Sequence, residues 1–355
     1  MKITGLITEY NPFHLGHEFH INSSKQKTNC DYTICIMSGN FVQRGIPAIV
    51  DNICFGSECG DVTTLKKIAE ILVNEPLEFK KDLKEQLNLG LSFPKARSIA
   101  IEKYIKNSNI FNIDNIEHIL NSPNNILAIE YCKSLFKLKS NINPITITRQ
   151  GSGYNDDNLN QDNFSSASSI RKAITEKSLE SCINVLPKYA YEILENSKIS
   201  DVDRMFFYVK YKLLSNPQFL SNIPDANEGL WNKILNNIGN FNNFDEFIMS
   251  CKSKRYSYTR ISRVLCQCFL SLSKEDILLS KSKPQYIRVL GLNKNGAKIL
   301  KEIKKNSKIK IVNKISSKNT DPMLSIDIKA TNLYSLLNNN IMHNADFKIS
   351  PIILK

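Results

Sequence analysis

The segment TEYNPFHLGHEFHI (residues 8–21) carries three of the chain's five histidines, His14, His17 and His20, beside the turn formers Asn11, Pro12 and Gly16. His14 and His17 are three apart, so on a helix they share one face at its first turn. A helix N-terminus presents unpaired N–H groups and a partial positive charge, which favours phosphate. Gly16 carries no Cβ to keep a ligand off the backbone. Imidazoles in that position can donate to phosphoryl oxygens as charge builds in a transition state. The reaction that suits such a cradle is attack on the α-phosphate of a nucleoside triphosphate, with pyrophosphate leaving. Two plainer readings stand beside it: the histidines cap a helix, or two of them begin a zinc site. No CxxC pair or HExxH helix supports zinc, and no GxxxxGK[ST] phosphate loop occurs. His20, one turn beyond His17, reads as support.

A strand before this segment and a helix after it must hold these groups. Residues 2–8 read as a short apolar strand and residues 15–27 as a helix. Residues 31–37 (DYTICIM) are apolar and β-branched, a buried strand, closed by Ser38, Gly39 and Asn40. Residues 52–55 form another apolar run, ended by Gly56. Strand, glycine-bearing turn, helix, strand is the rhythm of an α/β protein with a parallel sheet. Residues 65–104 have helical spacing with a break at 91–94, and Ser122 before Pro123 reads as a capping pair for the next helix. Residues 144–149 (PITITR) alternate as a strand, a polar loop follows, and SSIRKAI (168–174) opens another helix. From 202 to about 273 the spacing is helical, with a polar loop at 239–243. Residues 286–292, 308–312 and 323–328 read as short strands, with a helix over 295–305. The expected organisation is a first domain over 1–198, a helical region over 199–280 and a small α/β C-terminal part over 281–355, without an internal repeat.

The chain has 355 residues, more than one average domain. No apolar run approaches the roughly 20 residues that span a bilayer. The start, MKITGLITEYNPF, lacks a signal peptide's long apolar core and cleavage site. A cytoplasmic protein without membrane association is expected. The nine cysteines are odd in number and without a CxxC, so they read as free thiols that pack like small apolar residues. The net charge of +13 suits a polyanionic partner such as RNA, although a general bias toward Lys, Asn and Ile gives the same figure. In KSKRYSYTRISR (252–263), Lys252, Lys254, Arg255, Arg260 and Arg263 alternate with Tyr256 and Tyr258. Cations there can hold phosphates and tyrosines can stack on unpaired bases; a solvated basic helix is the alternative. Lys298, Lys301, Lys304, Lys305 and Lys308 read as solvated surface.

HxGH after a first strand is the signature of the HIGH-motif nucleotidyltransferase superfamily, and GLITEYNPFHLGHEFH (5–20) resembles its bacterial tRNA(Met) cytidine acetate ligase family. MSGNFVQRGIPAIVD (37–51), CFGSECGD (54–61), SPNNILAIEY (122–131) and TITRQGSGYND (146–156) follow in that family's order. So do SSASSIRKAI (165–174), KSKRYSYTRISR (252–263) and YIRVLGLNKNG (286–296), nearly end to end. The resemblance implies a Rossmann-like nucleotidyltransferase domain that binds ATP, followed by a tRNA-binding region with the residues of 252–263 just named. It implies a ligase: ATP activates acetate as acetyl-adenylate, pyrophosphate leaves, and the acetyl group passes to N4 of the wobble cytidine of elongator tRNA(Met). His14 and His17 would be catalytic. The ATP cradle would run from Ile7 to His20: Ile7, Thr8, Glu9, Tyr10, Asn11, Pro12 and Phe13 before His14, then Leu15, Gly16, Glu18 and Phe19. Gly56, Asn124 and Arg149 would also touch ATP, with Asn125 as the alternative to Asn124. Ser166, Ser168 and Arg171 would hold the outer phosphates, unless Ser166 is a plain N-cap. Mg²⁺ would come with ATP, its shell completed by phosphates and waters, with no metal held by the protein itself. Acetate and the tRNA are the implied partners, and no protein partner is implied.

The chain departs from the family at one place. PAIVD runs directly into NICFGSE at Asp51, where the family has about forty more residues, somewhat more than one βαβ unit. In a sheet of order 3-2-1-4-5 the lost strand lies outside strand 2, so strand 2 becomes an edge while the crevice between strands 1 and 4 persists. Residues 40–52 reach about 43 Å when extended, enough for a path of about 20 Å back and 10 Å across the sheet. A helix covering one sheet face would be gone, exposing apolar surface. Two other functions remain open on the residues: a nucleotidyltransferase acting on a small metabolite, and a tRNA-binding homologue with impaired catalysis.

Overall fold

The computed structural model describes residues 1–37, 50–108, 116–150, 159, 164–176, 178–280, 285–307, 309–316, 318 and 321–354. They fall into two compact units that part between Glu195 and Asn196. The first unit runs β1 (Ile3–Thr8), α1 (Leu15–Thr28), β2 (Tyr32–Met37), β3 (Asn52–Ser57), α2 (Val62–Asn74), α3 (Leu77–Asn88), α4 (Phe93–Ser108), α5 (Ile116–Asn121), α6 (Pro123–Lys137), β4 (Asn143–Thr148), α7 (Ala167–Glu176) and α8 (Lys188–Glu195).

Its four strands are all parallel, in the order β2-β1-β3-β4. This is the expected order without its outermost strand. β3 is buried along Asn52 to Phe55, as a central parallel strand covered on both faces must be. Alternation sends Ile53 and Phe55 into a core with Leu65, Ile68, Ile101, Ile129 and Cys132 from α2, α4 and α6. It sends Cys54, with Leu6 and Ile147, to the face that Phe19 and Ile21 of α1 cover. The residue just before the lost segment is built into the sheet. Asp51 accepts the Ile3 N–H through its carboxylate at 2.7 Å, and its carbonyl accepts the Asn143 N–H at 2.9 Å.

β2 corrects the expectation of a buried strand. It pairs with β1 at the sheet's edge, it is half-buried, and Cys35 and Met37 are exposed. The turn at Ser38, Gly39 and Asn40 and the crossing expected through residue 49 lie outside the described residues. α6 begins after Ser122 as expected, but Ser122 does not cap it: its hydroxyl donates back to the His118 carbonyl at 2.7 Å.

The second unit begins with α9 (Val202–Ser215), α10 (Leu230–Asn237), α11 (Phe244–Cys251), α12 (Tyr258–Leu270) and α13 (Lys274–Ser280). The first four of these helices surround Phe206, Val209, Leu213, Ile234, Phe247 and Leu265. It continues with β5 (Tyr286–Arg288), β6 (Gly291–Asn293), α14 (Lys294–Asn306), β7 (Lys310–Val312), α15 (Pro322–Tyr334), α16 (Ala345–Lys348) and β8 (Ile352–Leu354). The run 286–292 is thus two short strands in two sheets, β5 beside β7 and β6 beside β8. Residues 323–328 are helical, not a strand. Leu324, Ile326 and Ile328 alternate as a strand would, but Asp321 accepts the Met323 N–H at 3.1 Å and Pro322 opens the helix. Leu333 and Leu337 pack against the helical core. Lys298, Lys301, Lys304 and Lys305 are exposed on α14, opposite buried Ile299 and Ile303. Lys308 lies outside the described residues. The nine cysteines are free thiols. Among the described residues no helix is long and apolar enough to cross a membrane.

Candidate active site

β1 connects to β2 on one side, and β3 lies on the other, so the chain reverses direction between β1 and β3. Ligands of open α/β sheets bind beyond the carboxyl ends of the strands at such a point. The segments leaving those ends are residues 9–14 after β1, Glu58 after β3 and Arg149 after β4.

After β1 the chain turns sharply. Tyr10 has φ 51°, and the Asn11–Pro12 peptide is cis. The Tyr10 ring lies 4.9 Å from both Phe13 and His17, and burial pushes its hydroxyl pKa up. This turn delivers His14 to the N-cap of α1. Its Nδ1 accepts the Gly16 N–H at 3.1 Å, and Nδ1 of His17 accepts the His14 N–H at 3.4 Å. The two imidazoles form a reciprocal capping box and stack at 3.7 Å between centroids. Of the readings the sequence presents as alternatives, the helix cap is the one these bonds form. With Nδ1 an acceptor in each, the neutral ring carries its proton on Nε2; His14 keeps that donor for a ligand, while the His17 imidazole also bonds the Pro12 backbone carbonyl.

Both rings are neutral at pH 7. Burial lowers the pKa of His14 to about 3, helped by His17, Arg149 and Arg171. Burial lowers His17 to about 4, helped by His20 and Arg149. His20 is also pushed to about 4 by burial. The imidazoles therefore act as neutral hydrogen-bond donors, and the fixed positive charge near them belongs to the two arginines. Arg149 is anchored by its N–H on the Ser57 carbonyl at 2.9 Å. Arg171 donates to the Asn11 carbonyl at 2.5 Å and to Ser168 Oγ at 3.2 Å, so the start of α7 meets the turn after β1.

Other expected residues do different work. Ile7 and Phe19 pack into the two cores of the sheet. Glu9 and Asn11 are exposed, while Thr8 and Pro12 are buried. The Leu15 N–H is taken by the Val185 carbonyl, and the Glu18 N–H by that of His14. Ser166 is buried and caps α7, its Oγ accepting the Ser169 N–H at 3.0 Å. A Cβ on Gly56 would meet Arg149 Cγ at 3.7 Å and the Ile147 carbonyl at 4.0 Å, ordinary van der Waals contact, so the protein's own packing does not demand glycine there. Asn125 is wholly buried, and its Oδ1 accepts the N–H groups of Glu58 and Cys59 at 2.9 and 3.1 Å. Asn124 is half-buried, the more accessible of the pair. Glu58, which sequence reasoning passed over, closes this cluster. Its carboxylate accepts the Asn124 and Asn125 N–H groups at 3.2 and 2.8 Å and Asn124 Nδ2 at 2.7 Å. It caps α6 in place of Ser122. The available signal was an acidic residue directly after a strand's Gly-Ser.

In the second unit, the tyrosines of 252–263 are engaged by the helical core. Tyr256 is buried in the helical core, with its hydroxyl on the Glu228 carbonyl at 2.6 Å. Tyr258 is half-buried, packs on the same core and bonds Asp245. Arg260 pairs with Glu228 at 3.0 Å and Arg263 with Asp225 at 2.6 Å. The exposed cations without such pairing are Lys252, Lys254 and Arg255. Among the described residues no cluster of three His, Cys, Asp or Glu stands ready to hold a metal.

The family model for HIGH Nucleotidyl Transferase matches residues 1–53 and 50–348, two segments that meet where the chain is short. A Clostridium perfringens (strain ATCC 13124) protein named tRNA(Met) cytidine acetate ligase is 50% identical over 403 residues, covering all of both chains. A Clostridium novyi (strain NT) protein of the same name is 45% identical over 409 residues, again end to end. The crystal structure of apo Thermotoga maritima TmcAL superposes with a TM-score of 0.88 at 31% identity over the whole of both chains. The same protein bound with alpha-thio ATP gives 0.85 at 30% identity, with both chains covered in full.

Proposed function

Since the chain belongs to the tRNA(Met) cytidine acetate ligase family of HIGH nucleotidyl transferases, we propose that it activates acetate with ATP and acetylates N4 of the wobble cytidine of elongator tRNA(Met). An acetate oxygen attacks the α-phosphorus, the bond to the β-phosphate oxygen breaks, and pyrophosphate leaves. The N4 amine then attacks the acetyl carbon, loses a proton and displaces AMP. Acetate is already an anion, so the first step asks for positioning and charge stabilisation rather than a base. The observation that carries this reading is the capping box: the bonds that start α1 also fix two imidazoles as Nε2–H donors, beside the charges of Arg149 and Arg171. Gly56 leaves room for the nucleotide, Asn124 contacts it, and Arg171 reaches its outer phosphates, with Ser168 holding the guanidinium. Mg²⁺ enters with the phosphates of ATP, which together with waters supply its ligands. Lys252, Lys254 and Arg255 hold tRNA phosphates. The enzyme works in the cytoplasm.

The test is pyrophosphate release from ATP with acetate, with and without methionine tRNA, followed by nucleoside analysis of that tRNA. N4-acetylcytidine formed only with ATP and acetate supports the reading. Pyrophosphate release that never acetylates tRNA points to a small-molecule acceptor. Folded protein that binds tRNA and releases none is an impaired homologue.

A further inference from the structure

Glu58 does two jobs with one carboxylate. It caps the first turn of α6 through the N–H groups of Asn124 and Asn125, and it holds Nδ2 of Asn124 at 2.7 Å. A carboxylate only accepts, so this bond fixes which end of the Asn124 carboxamide faces Glu58. The amide nitrogen is inside the cluster and Oδ1 is the end left over; among the described residues no donor meets it. The clamp is reciprocal, because Oδ1 of buried Asn125 holds the backbone of Glu58 and Cys59 in return. Glu58 therefore has little freedom to release the amide. It follows β3 by one residue, at the sheet end where the nucleotide site lies.

We propose that Glu58 is a positioning residue that makes Asn124 an acceptor, so that Asn124 selects a hydrogen-bond donor on the nucleotide: a ribose hydroxyl or the 6-amino group of adenine. This rests on the reading that Asn124 touches ATP. An amide free to flip would satisfy a donor or an acceptor and would discriminate poorly. An amide pinned by a carboxylate rejects a ligand that offers no donor, since its buried-side partner cannot change.

Initial rates of pyrophosphate release with acetate test this, using ATP, inosine triphosphate, 2′-deoxy-ATP and 3′-deoxy-ATP. Asn124→Ala should raise KM for ATP by about fivefold to tenfold, with a smaller change in kcat. It should also erase the preference for ATP over one of the three analogues: inosine triphosphate if the amine is read, a deoxy form if a hydroxyl is. Glu58→Gln can turn a donor toward Nδ2, and should erase the same preference while Asn124 is intact. Asn124→Asp provides a check that does not require Glu58 to be changed. It keeps the acceptor oxygen but sets a second carboxylate against Glu58, so its KM should be at least that of Asn124→Ala. An unchanged KM in Asn124→Ala removes Asn124 from the nucleotide site and the proposal with it. A raised KM in Asn124→Ala, with Asn124→Asp near wild type or Glu58→Gln still discriminating, keeps the contact and overturns the role of Glu58.

Discussion

A Cβ on residue 16 would stand 2.9 Å from Cε1 of His14 and 3.1 Å from its Nδ1. The glycine therefore makes room for an imidazole folded back onto its own N–H, a tighter requirement than the approach of a ligand. Gly16→Ala should push the ring away and free its tautomer. The expected loss is about tenfold or more in kcat/KM for pyrophosphate release, about 1.4 kcal/mol of transition-state stabilisation, in protein whose far-ultraviolet dichroism is unchanged. Full activity would mean that the chemistry does not use this cap. The same burial gives a stability signature. Folded His14, His17 and His20 have pKa values of about 3, 4 and 4, against about 6.5 in an unfolded chain. On acidification the unfolded state takes up these protons first. The contribution is fully present above pH 6.5 and falls toward pH 4 by roughly 1 kcal/mol per pH unit for each imidazole. Thermal midpoints should therefore drop between pH 6.5 and 4.5, and His20→Asn should flatten that slope. An equally steep slope in the variant would assign the acid sensitivity elsewhere.

At the scale of elements, apolar runs and alternation made β1, β3 and β4 legible in the sequence, and turn residues opened α1 and α7. The HxGH spacing located the first turn of α1. What stayed hidden depends on partners far along the chain. DYTICIM by itself reads as buried because its residues are apolar; only comparison with the family's longer pattern marks β2 as the edge that the sheet shows. Ser122-Pro123 reads as a cap, but the acceptor for α6 comes from Glu58, more than sixty residues earlier. Tyr256 reads as a base platform because it sits among cations, whereas Glu228, 28 residues before it, takes its hydroxyl inside the core. Tyr256→Phe should accordingly lower the stability of the second unit by about 1 kcal/mol through the lost hydrogen bond, and leave tRNA affinity within about twofold. Denaturant melting and filter binding separate the two effects. A large loss of affinity with unchanged stability would return Tyr256 to the RNA surface.

Considered as a whole molecule, the chain sets its 355 residues against an alignment of 403 with the Clostridium perfringens protein, and the family match is split at residues 50–53. The sheet retains β1 and β3, the strands that flank the nucleotide crevice, in register from Thr4 opposite Asn52 to Leu6 opposite Cys54. The central pair of strands is therefore intact beside the point where the chain is short. The charge of +13 is spread over the chain, and long-range attraction for RNA comes from the sum, but only contacts at phosphates set the salt dependence. Arg260 and Arg263 are paired with Glu228 and Asp225, which leaves Lys252, Lys254 and Arg255 as the exposed cations of their stretch. If these three each hold a phosphate, replacing all of them with alanine should cut tRNA affinity at low salt. It should also reduce the slope of log affinity against log salt by about 2 to 3. Arg263→Ala should change that slope little, because its guanidinium is already neutralised by Asp225. Pyrophosphate release with acetate alone should continue in the triple variant, since the groups that carry it lie in the first unit. An unchanged slope would move the RNA surface to other cations, and the exposed α14 set Lys298, Lys301, Lys304 and Lys305 would be next to test.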